Sequence, residues 1–167
     1  MSVTIRTIGP EEWRVWRQLR LRALTDAPSA FRATLEEESA QPDHWWSALI
    51  GETAEHPRGG LWVAWFEGEP TGMLLGRIDE GHTELKIGAM WVAPAVRRLG
   101  VGSGLIQAAI EWARSLGVTV ASLWVTEEND EAIAFYQRHG FEPTDTTDVL
   151  RPGSHLVERK LETRIQR

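Results

Sequence analysis

The stretch from Thr83 to Val125 restricts the topology of this chain more than any other. Thr83 to Val92 reads as a long strand, ended by Pro94. Gly100 to Leu116 then carries Val101, Leu105, Ala108, Ala109, Trp112 and Leu116 on one helical stripe, and Gly117 stops it. Val118 to Val125 is again a strand, apolar enough to be buried. Two strands joined through a helix form a parallel pair by a right-handed crossover. The chain therefore builds a sheet with at least one parallel pair and a helix packed on it.

The flanking segments fill in the rest. Val3 to Thr7 alternates as a short strand, and Gly9-Pro10 breaks it. Pro10, Glu11 and Glu12 suit the first turn of an amphipathic helix of about four turns. That helix puts Val15, Trp16, Leu19 and Ala23 on one side, flanked by Trp13 and Leu24. Ala30, Phe31 and Leu35 suit a short helical piece, and Asp43 suits the cap of a helix carrying Trp45, Trp46, Leu49 and Ile50. Glu52 to Gly60 reads as a loop. Leu61 to Phe66, Thr71 to Ile78 and Thr83 to Val92 form an antiparallel meander, turning at 67–70 and 79–82. Asn129 to His139 is a helix with acids in its first turn and Arg138 and His139 in its last. Phe141 to Val149 and His155 to Leu161 close the sheet. The expected architecture is one α/β domain over 1–167, a mixed sheet of six or seven strands with helices on both faces.

Composition narrows the function. With 167 residues the chain makes one ordinary domain. It has no cysteine, which removes disulfide scaffolds, cysteine zinc sites, iron–sulfur clusters and thiol catalysis. A net charge of −6 runs against general nucleic-acid binding, so any anion must be held locally. No apolar run approaches the roughly 20 residues that span a bilayer, and Met1 to Arg6 lacks the apolar core of a signal peptide. The expected setting is cytoplasmic, with neither membrane nor nucleic acid as partner. The five histidines, at 44, 56, 82, 139 and 155, show no ligand-like spacing, so no metal is expected. Gly102-Ser103-Gly104 lacks the flanking spacing of a nucleophile elbow.

The segment with chemistry in it runs from Met90 to Gly104. A strand ends at Pro94, Arg97 and Arg98 follow, and Gly100, Gly102 and Gly104 open the long helix. The first amides of a helix lack internal partners and sit at the positive end of its dipole, which makes an anion site. Glycines let those amides approach a phosphate, and an arginine adds charge-assisted contacts. The same pattern also suits a plain glycine-rich cap with two solvated arginines. The glycine spacing matches neither the dinucleotide fingerprint nor the nucleoside-triphosphate loop.

Arg97-x-x-Gly100-x-Gly102, directly after Trp91-Val92-Ala93-Pro94, resembles the acyl-CoA motif of the general N-acetyltransferase (GNAT) superfamily. Asn129-x-x-Ala132-x-x-Phe135-Tyr136-x-x-x-Gly140-Phe141 resembles that family's later helix and following strand. The resemblance is strong over 61–161 and looser before it. It implies a sheet splayed between the strands 83–92 and 118–125 to admit acetyl-CoA. The backbone of Met90, Trp91 and Val92 would line the pantetheine arm and the acetyl carbonyl. Amides from Arg98, Leu99, Gly100, Val101, Gly102 and Ser103 would hold the pyrophosphate, with Arg97 beside them. Asn129 would contact the pantetheine, and Tyr136 would protonate the leaving thiolate. A phenol, with a pKa of about 10, still holds its proton at neutral pH where a thiol of about 8.5 is the leaving group.

The base is harder to place. An amine of pKa about 10.4 must lose a proton before it attacks, at roughly 4.6 kcal/mol at pH 7. The resemblance implies a carboxylate on the third, fourth or fifth strand; Ser122-Leu123-Trp124-Val125 carries no acid, and Glu84 at the start of the fourth strand is the nearest candidate. His82, Glu127, Glu128 and a water chain remain alternatives, and an exposed strand-end charge is the plain reading of Glu84. For the acceptor site, Trp45, Trp46, Phe31, Trp91 and Trp124 offer an aromatic wall or core packing. Glu36, Glu37 and Glu38 offer either an attraction for cations or a solvated helix face. The expected activity is acetyl transfer from acetyl-CoA to a primary amine, of a small molecule or peptide, in a ternary complex. The alternatives are a non-catalytic acyl-CoA-binding domain, a different acyl donor or a hydroxyl acceptor. A homodimer is compatible with the resemblance.

Overall fold

Glu67 and Gly68 both take positive φ, 50° and 85°, the pairing of a tight hairpin turn whose twist matches its strands. They join β2 (Gly59–Phe66) to β3 (Glu69–Ile78), and β4 (Glu84–Val92) continues the meander. The computed structural model describes residues 2–167; Met1, where the expected domain and the signal-peptide reading both begin, lies outside them. β1 (Val3–Thr7) adds to β2, and the later strands are β5 (Val120–Thr126), β6 (Glu142–Val149) and β7 (Val157–Arg164). Together they form one seven-stranded sheet in the order β1-β2-β3-β4-β5-β7-β6. β4 and β5 are parallel and every other neighbouring pair is antiparallel, as the crossover through 100–116 requires.

The helices are α1 (Trp13–Asp26), α2 (Leu35–Ser39), α3 (Asp43–Glu55), α4 (Val101–Ser115) and α5 (Asp130–Arg138). The strand period decides which face each covers. Trp62 points to α4, where it meets Trp112 edge-on at 5.1 Å, whereas its neighbours Leu61 and Val63 point to the opposite layer. Buried Trp16, Leu19, Ala23, Trp46 and Ile50 from α1 and α3 join the same core.

Several boundaries differ from the sequence reading. α3 runs on to Glu55 and β2 begins at Gly59, so most of 52–60 is not loop; Thr53 is buried and its hydroxyl donates to Leu49 O within the helix. Pro42, not Asp43, is the cap residue of α3, and Asp43 lies in its first turn. Phe31 and Leu35 do not share a helix, because extended residues separate the turn at Pro28–Ala30 from α2. α4 buries Ile106 and Ala113, whereas Leu116 is exposed beyond the helix end.

Two features set up the site. In β4, Ala89 and Met90 oppose the single Leu74 of β3, and Ala89 takes φ 50°. Such a bulge bends its strand. It falls just beyond the last β4–β5 pair, Lys86 with Ser122; the two strands pair only over Glu84–Lys86 and then diverge. The expected splay between them is present. The segment 28–32 is held at the mouth of that gap. Arg151 donates to the carbonyls of Pro28, Phe31 and Arg32 at 2.9, 2.7 and 3.1 Å, and Thr126 Oγ1 donates to Ser29 O at 2.7 Å.

Candidate active site

The divergence of β4 and β5 opens a cleft of about 900 Å³. Met90, Trp91 and Val92 line one wall from the end of β4, along an edge that has no strand partner beyond Lys86. α5 lines another with Asn129, Ala132, Phe135, Tyr136 and His139, which recur at the three- and four-residue spacing of one helix face. Ala27, Ala30 and Phe31 close the third side.

The fourth side is the turn into α4. Arg98 and Gly100 take left-handed φ of 68° and 84°, and Leu99 between them does not. An alternation of hand turns successive N–H groups toward one side. The first backbone bond of α4 runs from Gly104 N to Gly100 O at 3.0 Å. The N–H groups of Val101, Gly102 and Ser103 therefore have no helical partner, as expected of a first turn. Gly102 also keeps the helix close to α5: a Cβ there would lie 3.0 Å from Phe135 Cζ and 3.5 Å from Met90 Cε. Gly104 has a different task from the one its spacing suggested. It faces Ile5 of β1, where a Cβ would collide, so it serves packing rather than an anion.

Ten of the residues expected at the donor site line this cleft; Leu99 and Val101 do not. Leu99 is exposed to solvent and Val101 is buried beneath the turn. Arg97 lines the cleft but is not free. It pairs with Asp26 at 2.6 Å, and its Nε donates to Val92 O at 3.0 Å. Asp26 also accepts from Trp91 Nε1 at 3.0 Å. Trp91 and then Arg97 hold the Asp26 carboxyl below its ordinary range. Arg98 and, from α5, Arg138 line the cleft without an ion pair; Arg98 is the one in the anion turn itself.

Asn129 caps α5, its side-chain oxygen accepting from Ala132 N at 3.2 Å, which leaves its amide group for the cleft. Tyr136 is 9% exposed, and burial raises its phenol pKa well above the ordinary value. It holds its proton throughout the physiological range. Sequence reasoning missed His139 and Asp26. Ser103 Oγ lies 3.0 Å from His139 Nε2, and the His139 ring packs on Phe135 at 4.8 Å. Nothing in the spacing of 103 and 139 signals that contact. Asp26 was missed for the same reason.

Glu84 lies elsewhere. It sits where β4 and β5 still pair, six positions before Met90, and does not line the cleft. Its carboxylate meets Lys160 at 2.9 Å. Burial pushes its pKa up, but hydrogen bonds from Ser122 and Lys160 outweigh that and hold it below its ordinary value. A base needs reach to its proton before it needs a suitable pKa, and this position does not supply it. Glu127 pairs with Arg159 at 2.6 Å. Of the expected aromatic wall, Phe31 and Trp91 line the cleft. Trp46 is wholly buried with Trp45 edge-on against it, and Trp124 is 38% exposed outside the cleft with Arg32 over its ring. Two of the three consecutive acids are spent locally: Glu38 on Arg20 at 2.6 Å, Glu37 on the cap of α2. Among the described residues no helix is long and apolar enough to cross a membrane. No group of three His, Asp or Glu among them is gathered as if for a metal.

A family model described as the acetyltransferase (GNAT) family matches residues 15–141. An N-acetyltransferase of Methanocaldococcus jannaschii is 36% identical over 106 residues, 60% of this chain and 45% of its own length. A peptidyl-lysine N-acetyltransferase of Salmonella typhimurium is 29% identical over 89% of this chain and 90% of its own. The chain spans about half the length of the first curated relatives it matches, 45% and 55%. Among solved structures, a GNAT-family acetyltransferase of Streptococcus pneumoniae superposes with a TM-score of 0.83 at 17% identity, covering 99% of this chain and 100% of that one. An N-acetyltransferase of Thermoplasma acidophilum in complex with coenzyme A superposes with a TM-score of 0.69 at 15% identity, covering 98% and 99%.

Proposed function

This chain belongs to the acetyltransferase (GNAT) family, and on that premise we propose that it transfers an acetyl group from acetyl-CoA to a primary amine by direct attack in a ternary complex. The observation that carries the reading is the row of unpartnered N–H groups at Val101, Gly102 and Ser103, in a turn whose Gly102 and Ser103 line the same cleft as Tyr136. A cleft of about 900 Å³ suits a ligand as large as a nucleotide thioester. The coenzyme A complex of the Thermoplasma relative supports the same choice of donor.

When bound, acetyl-CoA supplies an activated acetyl group. The amides of Val101, Gly102 and Ser103 bind its pyrophosphate, with Arg98 adding charge. The free edge of β4 from Met90 to Val92 orients the acyl arm and offers an N–H to the carbonyl oxygen. The acceptor nitrogen forms its bond to the acetyl carbon and the carbon–sulfur bond breaks. Tyr136 gives its proton to the departing sulfur and recovers one from solvent. The carboxylates that line the cleft are Asp26 and Glu131. Asp26 is engaged by Trp91 and Arg97, and Glu131 is exposed on the first turn of α5, so the acceptor's proton leaves to water rather than to a dedicated buried carboxylate. With no cysteine in the sequence, a thiol cannot carry the acetyl group. Similarity to a peptidyl-lysine N-acetyltransferase over most of the chain supports an amine as acceptor.

Calorimetry with acetyl-CoA, CoA, ATP and NAD tests the donor, followed by an amine panel that includes lysine peptides. Micromolar binding of acetyl-CoA and CoA alone is expected. Equal binding of ATP, or none of CoA, overturns the reading.

A further inference from the structure

One pair in the cleft has no task in the reaction above. Ser103 lies in the first turn of α4, where its N–H is one of the three free amides. Its Oγ is 3.0 Å from Nε2 of His139, which follows the last residue of α5. Both side chains line the cleft, and the His139 ring is half-buried against Phe135. Phe135 is held in turn by the missing Cβ of Gly102, one residue before Ser103. The four residues close a ring around the opening of α4.

We propose that His139 is a positioning residue for the phosphate end of the donor: its Nε2–H donates to Ser103 Oγ, turns the Ser103 hydroxyl proton onto a phosphate oxygen, and so ties donor affinity to pH. The inference rests on the donor reading above. Its logic is a count of protons. A serine hydroxyl donates once and accepts at its lone pairs, and ionised phosphate oxygens only accept. If Ser103 donates to His139, its lone pairs face the phosphate and repel it. If His139 donates to Ser103, the hydroxyl proton is free for the phosphate. Neutral imidazole satisfies this in one of its two tautomers. Imidazolium always satisfies it and brings a positive charge beside the anion.

The surroundings fit a group that gains a proton on binding. In the free protein, burial and then the neighbouring Arg138 charge keep His139 below its ordinary range. The other charged groups lining the cleft are Glu131 on α5, Arg97 and Arg98 of the turn, and Asp26 at the end of α1. Arg97 and Asp26 neutralise each other. An arriving phosphate opposes the effect of Arg138 and raises the His139 pKa. Affinity therefore rises as pH falls toward the free His139 value.

The test is calorimetry of CoA and 3′-dephospho-CoA at pH 8.0 and 5.5; the second ligand lacks the phosphomonoester, which titrates in this range itself. For 3′-dephospho-CoA the wild type is expected to bind severalfold tighter at pH 5.5, about tenfold being the limit that a one-unit rise in the histidine pKa sets at still lower pH. In His139→Gln, which always offers an N–H, and in Ser103→Ala, that slope falls below about twofold. NMR of the His139 ring should show its pKa rising when the ligand is added. A wild-type slope that is flat, or that survives in both variants, overturns the inference. Failure of both ligands to bind at either pH overturns the donor reading instead.

Discussion

Trp91 and Asp26, 65 positions apart in the chain, are joined by a hydrogen bond from Nε1 to Oδ2 of 3.0 Å. The same carboxylate holds Arg97, so the end of α1 is tied to both sides of Pro94. The shift in Asp26 has a definite sign. Its folded pKa lies below its unfolded value, so its stabilisation is complete above the unfolded value of about 3.9 and is lost as pH falls through the folded one. Stability should therefore decline below about pH 4, and Asp26→Asn should lose part of that decline. At pH 7, Asp26→Ala should cost about 1–2 kcal/mol, since the ion pair is exposed while the indole bond is part-buried. Urea midpoints at pH 7 and pH 3 check both.

Tyr136→Phe removes the proposed acid and little else, because the ring is packed edge-on against Phe135 and Phe141. Turnover should fall by about 10²–10⁴, the usual yield of a positioned acid. Steady-state kinetics with calorimetry of CoA should separate this from a loss of binding. Burial raises the phenol pKa, so deprotonation of Tyr136 should not produce an alkaline fall in rate below about pH 10.

Gly102→Ala tests the packing at the anion turn. In an ordinary helix this change gains up to about 1 kcal/mol. Here the new methyl would meet Phe135 at 3.0 Å, so the sign should reverse to a loss of about 1 kcal/mol. Thermal melting reads the stability, and CoA titration should show weaker binding in the same variant.

Glu84→Gln separates a base from a structural ion pair. A base would show a loss of about 10²–10⁴ in turnover. The position of Glu84, against Lys160 and away from the cleft, instead gives a change of less than about threefold and a stability cost of about 1 kcal/mol. Kinetics beside a urea titration distinguish them.

What could be read from sequence and what could not divide along one line. Signals held in a few neighbouring residues were legible: the helical stripe of 101–109, the hairpin at Glu67-Gly68, the strand–turn–helix around Pro94. A mixed sheet of six or seven strands with one parallel pair followed from them, and the structure has seven. Features that depend on a distant partner were not legible. Arg97 looked free because Asp26 is 71 residues away. Gly104 looked like part of an anion loop because Ile5 lies at the other end of the chain. His139 looked like an isolated histidine until α5 brought it to Ser103. The bulge puts its positive φ on Ala89 and not on the adjacent Gly88, so residue type does not announce it.

The clamp that Arg151 places on Pro28, Phe31 and Arg32 links a residue near the end of the chain to a segment near its start. A chain made from its N-terminus exposes residues 28–32 long before residue 151 exists. Until then that wall has its local turns and the Thr126 bond to Ser29 to hold it, and loops of about 120 residues close slowly. The pocket is thus among the last parts of the protein to take shape during synthesis, and a chain shortened before the final hairpin would keep the glycine turn yet lose the surface that faces it.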